Sequence, residues 1–195
     1  MNFFSISINA LPISLCLLLL SSGSTPIAAK EVAGAQIAAT YQLDSGSLVL
    51  NGSGVRSKFF MDLYVASLYL PQAETKASSV LESPVLAIQL DILSSMITSE
   101  KMNDAINEGF DNATHGQTQA IAPSITQFLA TFDAPIKVAD KFVFVMQKDK
   151  GVSSIKNGIT QGEIQDEAFR RALIAIWLGD EPAQASLKDA MLGID

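Results

Sequence analysis

The feature that most constrains the fold is a change of period along the chain. From Phe59 to Leu70 aromatic and branched residues follow one another densely enough to predict a strand, ended by Pro71. Ser47 to Leu50 predicts a shorter strand running into Asn51-Gly52-Ser53-Gly54, a turn or bulge signal, and Val85 to Leu93 predicts another. Then the spacing becomes helical. Met102, Ala105, Ile106 and Phe110 share one face of a helix starting near Thr98. Ile121, Ile125, Phe128, Leu129 and Phe132 share another, with Pro123 tolerable in its first turn. Phe142 to Met146 returns to strand, apolar on both faces and therefore central, and Asn157-Gly158 marks a hairpin. Asp166 is placed to cap a helix buried along Ala168, Phe169, Ala172, Leu173 and Ile176, which Gly179 closes. A last helix is expected from Pro182 to Gly193. Residues 30–40, small and polar, read as a loose start. The order strands, helices, strands, helices is not the regular alternation of a parallel sheet. It predicts an α+β fold: an antiparallel β-sheet with a layer of helices packed on one face, and a cleft where the two layers splay.

Composition narrows the function. The chain of 195 residues is 48% hydrophobic and 17% charged, ample for one core and too apolar for disorder. A net charge of −7 without any basic run argues against nucleic acid and against adhesion to anionic membranes. No charged residue precedes Lys30, and the apolar stretch Leu11 to Leu20 gives way to small residues ending at Ala28-Ala29. This reads as a signal peptide over 1–29, leaving a domain over 30–195 in the periplasm or secreted. An uncleaved anchor is the competing reading, for which the stretch is short against a span of roughly 20 residues. The mature form is not expected to span a membrane. Cys16 is the only cysteine and lies in the leader, so disulfides, thiol catalysis and thiolate metal sites are excluded by counting. His115, the only histidine, falls in a loop reading and cannot build a multi-histidine site alone. Neither metal nor cofactor is expected.

Three segments resemble the chalcone isomerase superfamily. They are Gly52-Ser53-Gly54-Val55-Arg56 followed by Tyr64-Val65-Ala66-Ser67-Leu68-Tyr69-Leu70; Ser99-Glu100-Lys101; and Phe169-Arg170-Arg171-Ala172-Leu173 continuing to Ile176-Trp177-Leu178-Gly179, Ser186-Leu187-Lys188 and Met191-Leu192-Gly193. The last resembles the exported bacterial branch. The resemblance implies an open-faced β-sandwich and one of two functions. Plant enzymes of the superfamily close a flavonoid ring by adding a phenolate to an enone; related non-catalytic members bind fatty acids in the same cleft. Both use an arginine after the glycine turn, which Arg56 matches. Tyr64 falls where the enzymes have threonine and the fatty-acid binders tyrosine. Thr98 falls at the enzymes' tyrosine, Lys101 at their lysine, and Ala105 at their asparagine. The resemblance therefore implies a binder of a fatty acid or similar amphipathic carboxylate, with Arg56, Tyr64, Lys101 and Thr98 as ligand-binding residues. The alternative is an isomerase or lyase acting on an enone.

The chemistry of these residues suits a carboxylate. Arginine offers a planar fork of donors and a tyrosine hydroxyl one more. Each buried methylene of an acyl tail adds roughly 0.8 kcal/mol, so apolar walls suffice for the rest. Plainer roles exist: Arg56 paired with Asp62, Tyr64 as a core residue, Lys101 as a solvated charge, and Trp177 packed with its indole N–H on a carbonyl. One geometric demand is strict. A straight strand rising about 3.3 Å per residue would set Arg56 and Tyr64 roughly 26 Å apart. One carboxylate reaches both only if the chain reverses between Ser57 and Met61, where only Ser57 and Lys58 are plausible turn residues.

Overall fold

A computed structural model describes residues 29–194, besides Met1. Most of the expected leader, Cys16 included, lies outside the described residues. Seven strands form one antiparallel sheet in chain order: β3 (Thr40–Leu43), β4 (Gly46–Lys58), β5 (Met61–Leu70), β6 (Val85–Ile92), β7 (Lys141–Gln147), β8 (Gly151–Lys156) and β9 (Ile159–Ile164). Strands β1 (Ala29–Val32) and β2 (Ala35–Ala38) form a separate hairpin. Helices α1 (Ala77–Leu81), α2 (Ser99–Ala113), α3 (Ala122–Leu129), α4 (Glu167–Leu178) and α5 (Ala185–Leu192) fill the connections and the C-terminal end. This is the expected α+β arrangement, with helices layered against a sheet.

Alternation along the strands builds two apolar clusters. Ala66, Leu68, Leu70, Ile88, Leu90, Phe142 and Phe144 point toward the helices and meet Phe110, Phe128, Phe169 and Trp177. Val65, Tyr69, Ala87, Val143 and Val145 point the other way. Residues 30–40 are not a loose start. The β1–β2 hairpin places the fully buried Ile37 in this second cluster, and the Tyr69 hydroxyl donates to Ala38 O at 3.1 Å. One large side chain in a run of small ones was enough to seat the segment.

A bulge in β4 sets which residues reach the helix side. Leu50 pairs with Tyr69 and Gly52 with Leu68, so Asn51 is the extra residue. Leu48 and Leu50 therefore face the second cluster, whereas Gly52, Gly54 and Arg56 turn toward the helices. The glycines let α5 come close. A Cβ on Gly52 would fall 2.2 Å from Ala190 O, and one on Gly54 2.6 Å from Ala190 Cβ. Asn51 fastens the contact by donating to Met191 O at 2.9 Å. The Asn51–Gly54 signal is thus a bulge and a helix seat inside one long strand, not the end of a strand.

The chain does reverse between Ser57 and Met61, but at residues with no turn signature. Lys58 pairs with Met61, and Phe59 and Phe60 between them have φ of 51° and 65°. Positive φ at both central residues is the type I′ pattern that favours Asn and Gly. The predicted strand from Phe59 therefore begins at Met61. Three further details differ from the sequence reading: Ala168 is exposed, α5 begins at Ala185 and not at Pro182, and α1 had no clear signal. The caps fell where expected. Asp166 accepts from the Phe169 amide at 3.0 Å, and Asn157-Gly158 makes the β8–β9 turn with positive φ at both residues.

Candidate functional site

Between the β4–β5 hairpin, α2 and the α4–α5 link lies a cavity of about 470 Å³. That falls within the roughly 300–1,000 Å³ of small-molecule sites. Its floor is apolar and buried: Leu90, Ile106, Phe144, Ile176 and Trp177. Arg56 and Tyr64 stand at its head, and exposed Lys58, Phe59, Met61 and Lys101 form the rim.

Arg56 and Tyr64 are direct cross-strand partners in β4 and β5, so their side chains leave the same face of the sheet. The demanded reversal is met by the Phe59-Phe60 turn. Arg56 does not pair with Asp62, which accepts instead from the Ser57 hydroxyl at 2.8 Å. Its Nη1 donates to Ser57 O at 2.9 Å and to Gln184 Oε1 at 3.0 Å. Both acceptors are neutral, and among the described residues no carboxylate lies within ion-pair distance of the guanidinium. A half-buried cation with only neutral partners keeps its full attraction for an anion.

Trp177 donates its indole N–H to the Tyr64 hydroxyl oxygen at 3.2 Å, not to a carbonyl. Burial pushes the Tyr64 phenol up, and Trp177 and the Arg56 cation pull the other way without cancelling it. The group therefore stays protonated at neutral pH. Its oxygen is engaged as an acceptor, and among the described residues its proton has no acceptor. It is available to a ligand oxygen.

The other two expected ligand-binding residues separate. Lys101 is on the rim of the cavity. Thr98 caps α2: its hydroxyl accepts from the Lys101 amide at 3.2 Å, and it is not part of the cavity lining. Its oxygen serves the helix start, and its place outside the lining keeps it apart from Arg56 and Tyr64. Ala105 does line the cavity and brings no polar group. Two residues were missed by sequence reasoning, the role of Trp177 and that of Gln184. Trp177 lies 113 positions from Tyr64 and Gln184 lies 128 from Arg56, and no local pattern announces either pairing. Among the described residues, no cluster of three or more His, Cys, Asp or Glu is placed to hold a metal ion, and no helix is long and apolar enough to cross a membrane.

A sheet backed by helices with a cavity between the layers is an open-faced α+β architecture suited to binding a small molecule. The chain belongs to the chalcone isomerase-like family, whose model matches residues 29–193. Among solved structures it is similar to a fatty-acid binding protein of Arabidopsis thaliana, with a TM-score of 0.67 and 16% identity over 85% of this chain and 96% of that one. At that identity the likeness shows the fold. No curated protein matches the sequence.

Proposed function

We propose that this chain is an exported, non-catalytic binder of a fatty acid or similar amphipathic carboxylate, working in the periplasm or outside the cell after a leader ending at Ala29 is removed. The observation that carries the reading is the Arg56–Tyr64 pair: among the described residues, an arginine with no acid partner and a tyrosine with a free proton, side by side at the head of an apolar cavity. The carboxylate accepts from Arg56 and Tyr64, with Lys101 on the rim adding a second cation. The tail lies against Leu90, Ile106, Phe144, Ile176 and Trp177. That the Arabidopsis neighbour is a fatty-acid binding protein supports this reading. Ala105 weighs against ring closure, since its methyl can neither donate a proton nor hold a water where the chalcone isomerases have an asparagine.

The direct test is native mass spectrometry of the purified protein, followed by titration of the delipidated form with saturated fatty acids. Bound acid at one per chain is expected, with no chalcone turnover above background. A protein that binds no acid, or one that turns over chalcone and loses the rate in Arg56→Ala, overturns the reading. N-terminal sequencing of the exported form should begin near Lys30; a start at Met1 in a membrane fraction refutes export by cleavage.

A further inference from the structure

The β4–β5 turn is assembled from the wrong residues for its geometry. Phe59 and Phe60 both adopt positive φ, where bulky side chains are outliers. Neither ring is buried in return. Phe59 is 79% exposed and Phe60 fully so, and Met61 and Met96 beside them are also exposed. Asn-Gly makes the same turn without strain, as this chain does at Asn157-Gly158. Strain kept alongside exposed aromatic surface marks a segment held for contact with something else.

We infer that the Phe59-Phe60 tip is a wedge that enters the surface of a lipid bilayer and sets the cavity mouth against it. Shape and size choose this occupant. The tip is a convex two-residue turn, and two phenylalanines offer roughly 150–250 Å² each. A stable protein interface spreads about 800 Å² per partner over a broad face, and a two-residue tip is narrower than that. It is the right size to enter the zone between headgroups and acyl chains, where exposed aromatic rings are favoured. Lys58 stands beside the rings, its Nζ 5.8 Å from the Phe59 centroid, at the level a headgroup phosphate would occupy. The rim is otherwise balanced, with Lys58 and Lys101 against Asp104 and Glu108, so apolar insertion and not charge drives the contact. Phe59 also lines the cavity, which makes the wedge continuous with the mouth. Docking stands on the tip alone; that it loads the cavity from the bilayer rests on the carboxylate reading above.

The test compares wild type with Phe60→Asn, both expressed as the whole chain and purified as the cell processes them. Phe60 is outside the cavity lining, and asparagine tolerates its φ. Partition is measured by flotation with vesicles of phosphatidylcholine, with and without phosphatidylglycerol. Wild type should bind the neutral vesicles, with no gain from phosphatidylglycerol because the chain carries a net charge of −7, and Phe60→Asn should bind at least tenfold more weakly. The variant should melt no lower than wild type and should bind monomeric fatty acid in solution as wild type does. That last titration separates the two ideas, since a failed cavity reading shows there and not in flotation. Equal flotation of the two proteins overturns the wedge, as does failure of wild type to bind either vesicle. Concentration-dependent self-association of wild type, abolished in the variant, also overturns it and assigns the tip to a second copy.

Discussion

The floor under α1 and the head of the cavity each hold one arginine, and the two are treated oppositely. Arg170 is fully buried. Its Nε and Nη2 donate to the two carboxylate oxygens of Glu167, both at 2.7 Å. That guanidinium holds the Glu167 carboxyl below its usual range. Arg56 is half-buried at the cavity and, among the described residues, has neutral acceptors only. A buried cation given a fitted anion from its own helix is committed to structure. One left without an anion beside an apolar cavity is reserved for a ligand.

Three substitutions break or sharpen that contrast. Glu167→Ala strands the buried guanidinium and should cost about 3 kcal/mol, the low end for a broken buried pair because Glu167 itself is partly exposed. Denaturant unfolding measures it, and fatty-acid affinity of the folded fraction should not change. Arg56→Ala should do the reverse. It should weaken fatty-acid binding by about 1.5–3 kcal/mol, the range for a charged hydrogen bond, while stability shifts by under about 1 kcal/mol. If Arg56→Ala unfolds the protein and Glu167→Ala does not, the assignment is backwards. Trp177→Phe shortens a buried floor side chain and deletes the donor to Tyr64; calorimetry should show affinity lower by about 1 kcal/mol, with a stability loss of about 1 kcal/mol from the space left behind.

The smallest effects are those of pH. Glu167 has a folded pKa below its usual 4.5, so its contribution is complete above that value and fades as pH falls through the folded pKa. Tyr69 is displaced upward, from 10.0 to about 12, by burial and by the nearby Asp91 and Tyr41. Its folded form holds the proton more tightly than the unfolded chain does. Its stabilisation is therefore whole below pH 10 and lost between pH 10 and about 12. Since its hydroxyl donates to Ala38 O, hydrogen exchange should show β2 loosening in that alkaline window while α4 stays protected.

Two of the type I′ turns show what a sequence makes legible. Asn157-Gly158 announces its turn because both residues accept positive φ cheaply. Phe59-Phe60 makes the same turn with residues that propensity assigns to a strand, so only the wider need to bring Arg56 near Tyr64 pointed there. The helix stripes were readable because burial imposes a period on them, and Asp166 because capping is local. Gly52 and Gly54 were visible as a signal but not as a seat, since what they admit is a helix 140 residues away. The site divides in the same way. Arg56 and Tyr64 came from resemblance together with chemistry, whereas Gln184 and Trp177 reach them only through tertiary packing.

The order of the sheet also fixes an order of assembly. Every strand from β3 to β9 pairs with its neighbour in the chain. The β3–β4, β4–β5, β7–β8 and β8–β9 pairs close through turns of two or three residues. The β6–β7 pair is different: it must close across about 48 residues carrying α2 and α3, which by chain statistics costs about 2.5 kcal/mol more entropy than a three-residue turn. Its closure is the slow step to expect, and it is the same step that brings α2 over the sheet. The strands bearing Arg56 and Tyr64 should thus gain exchange protection before the wall facing them does, and an acyl chain meets a forming site open on one side before it meets a finished one.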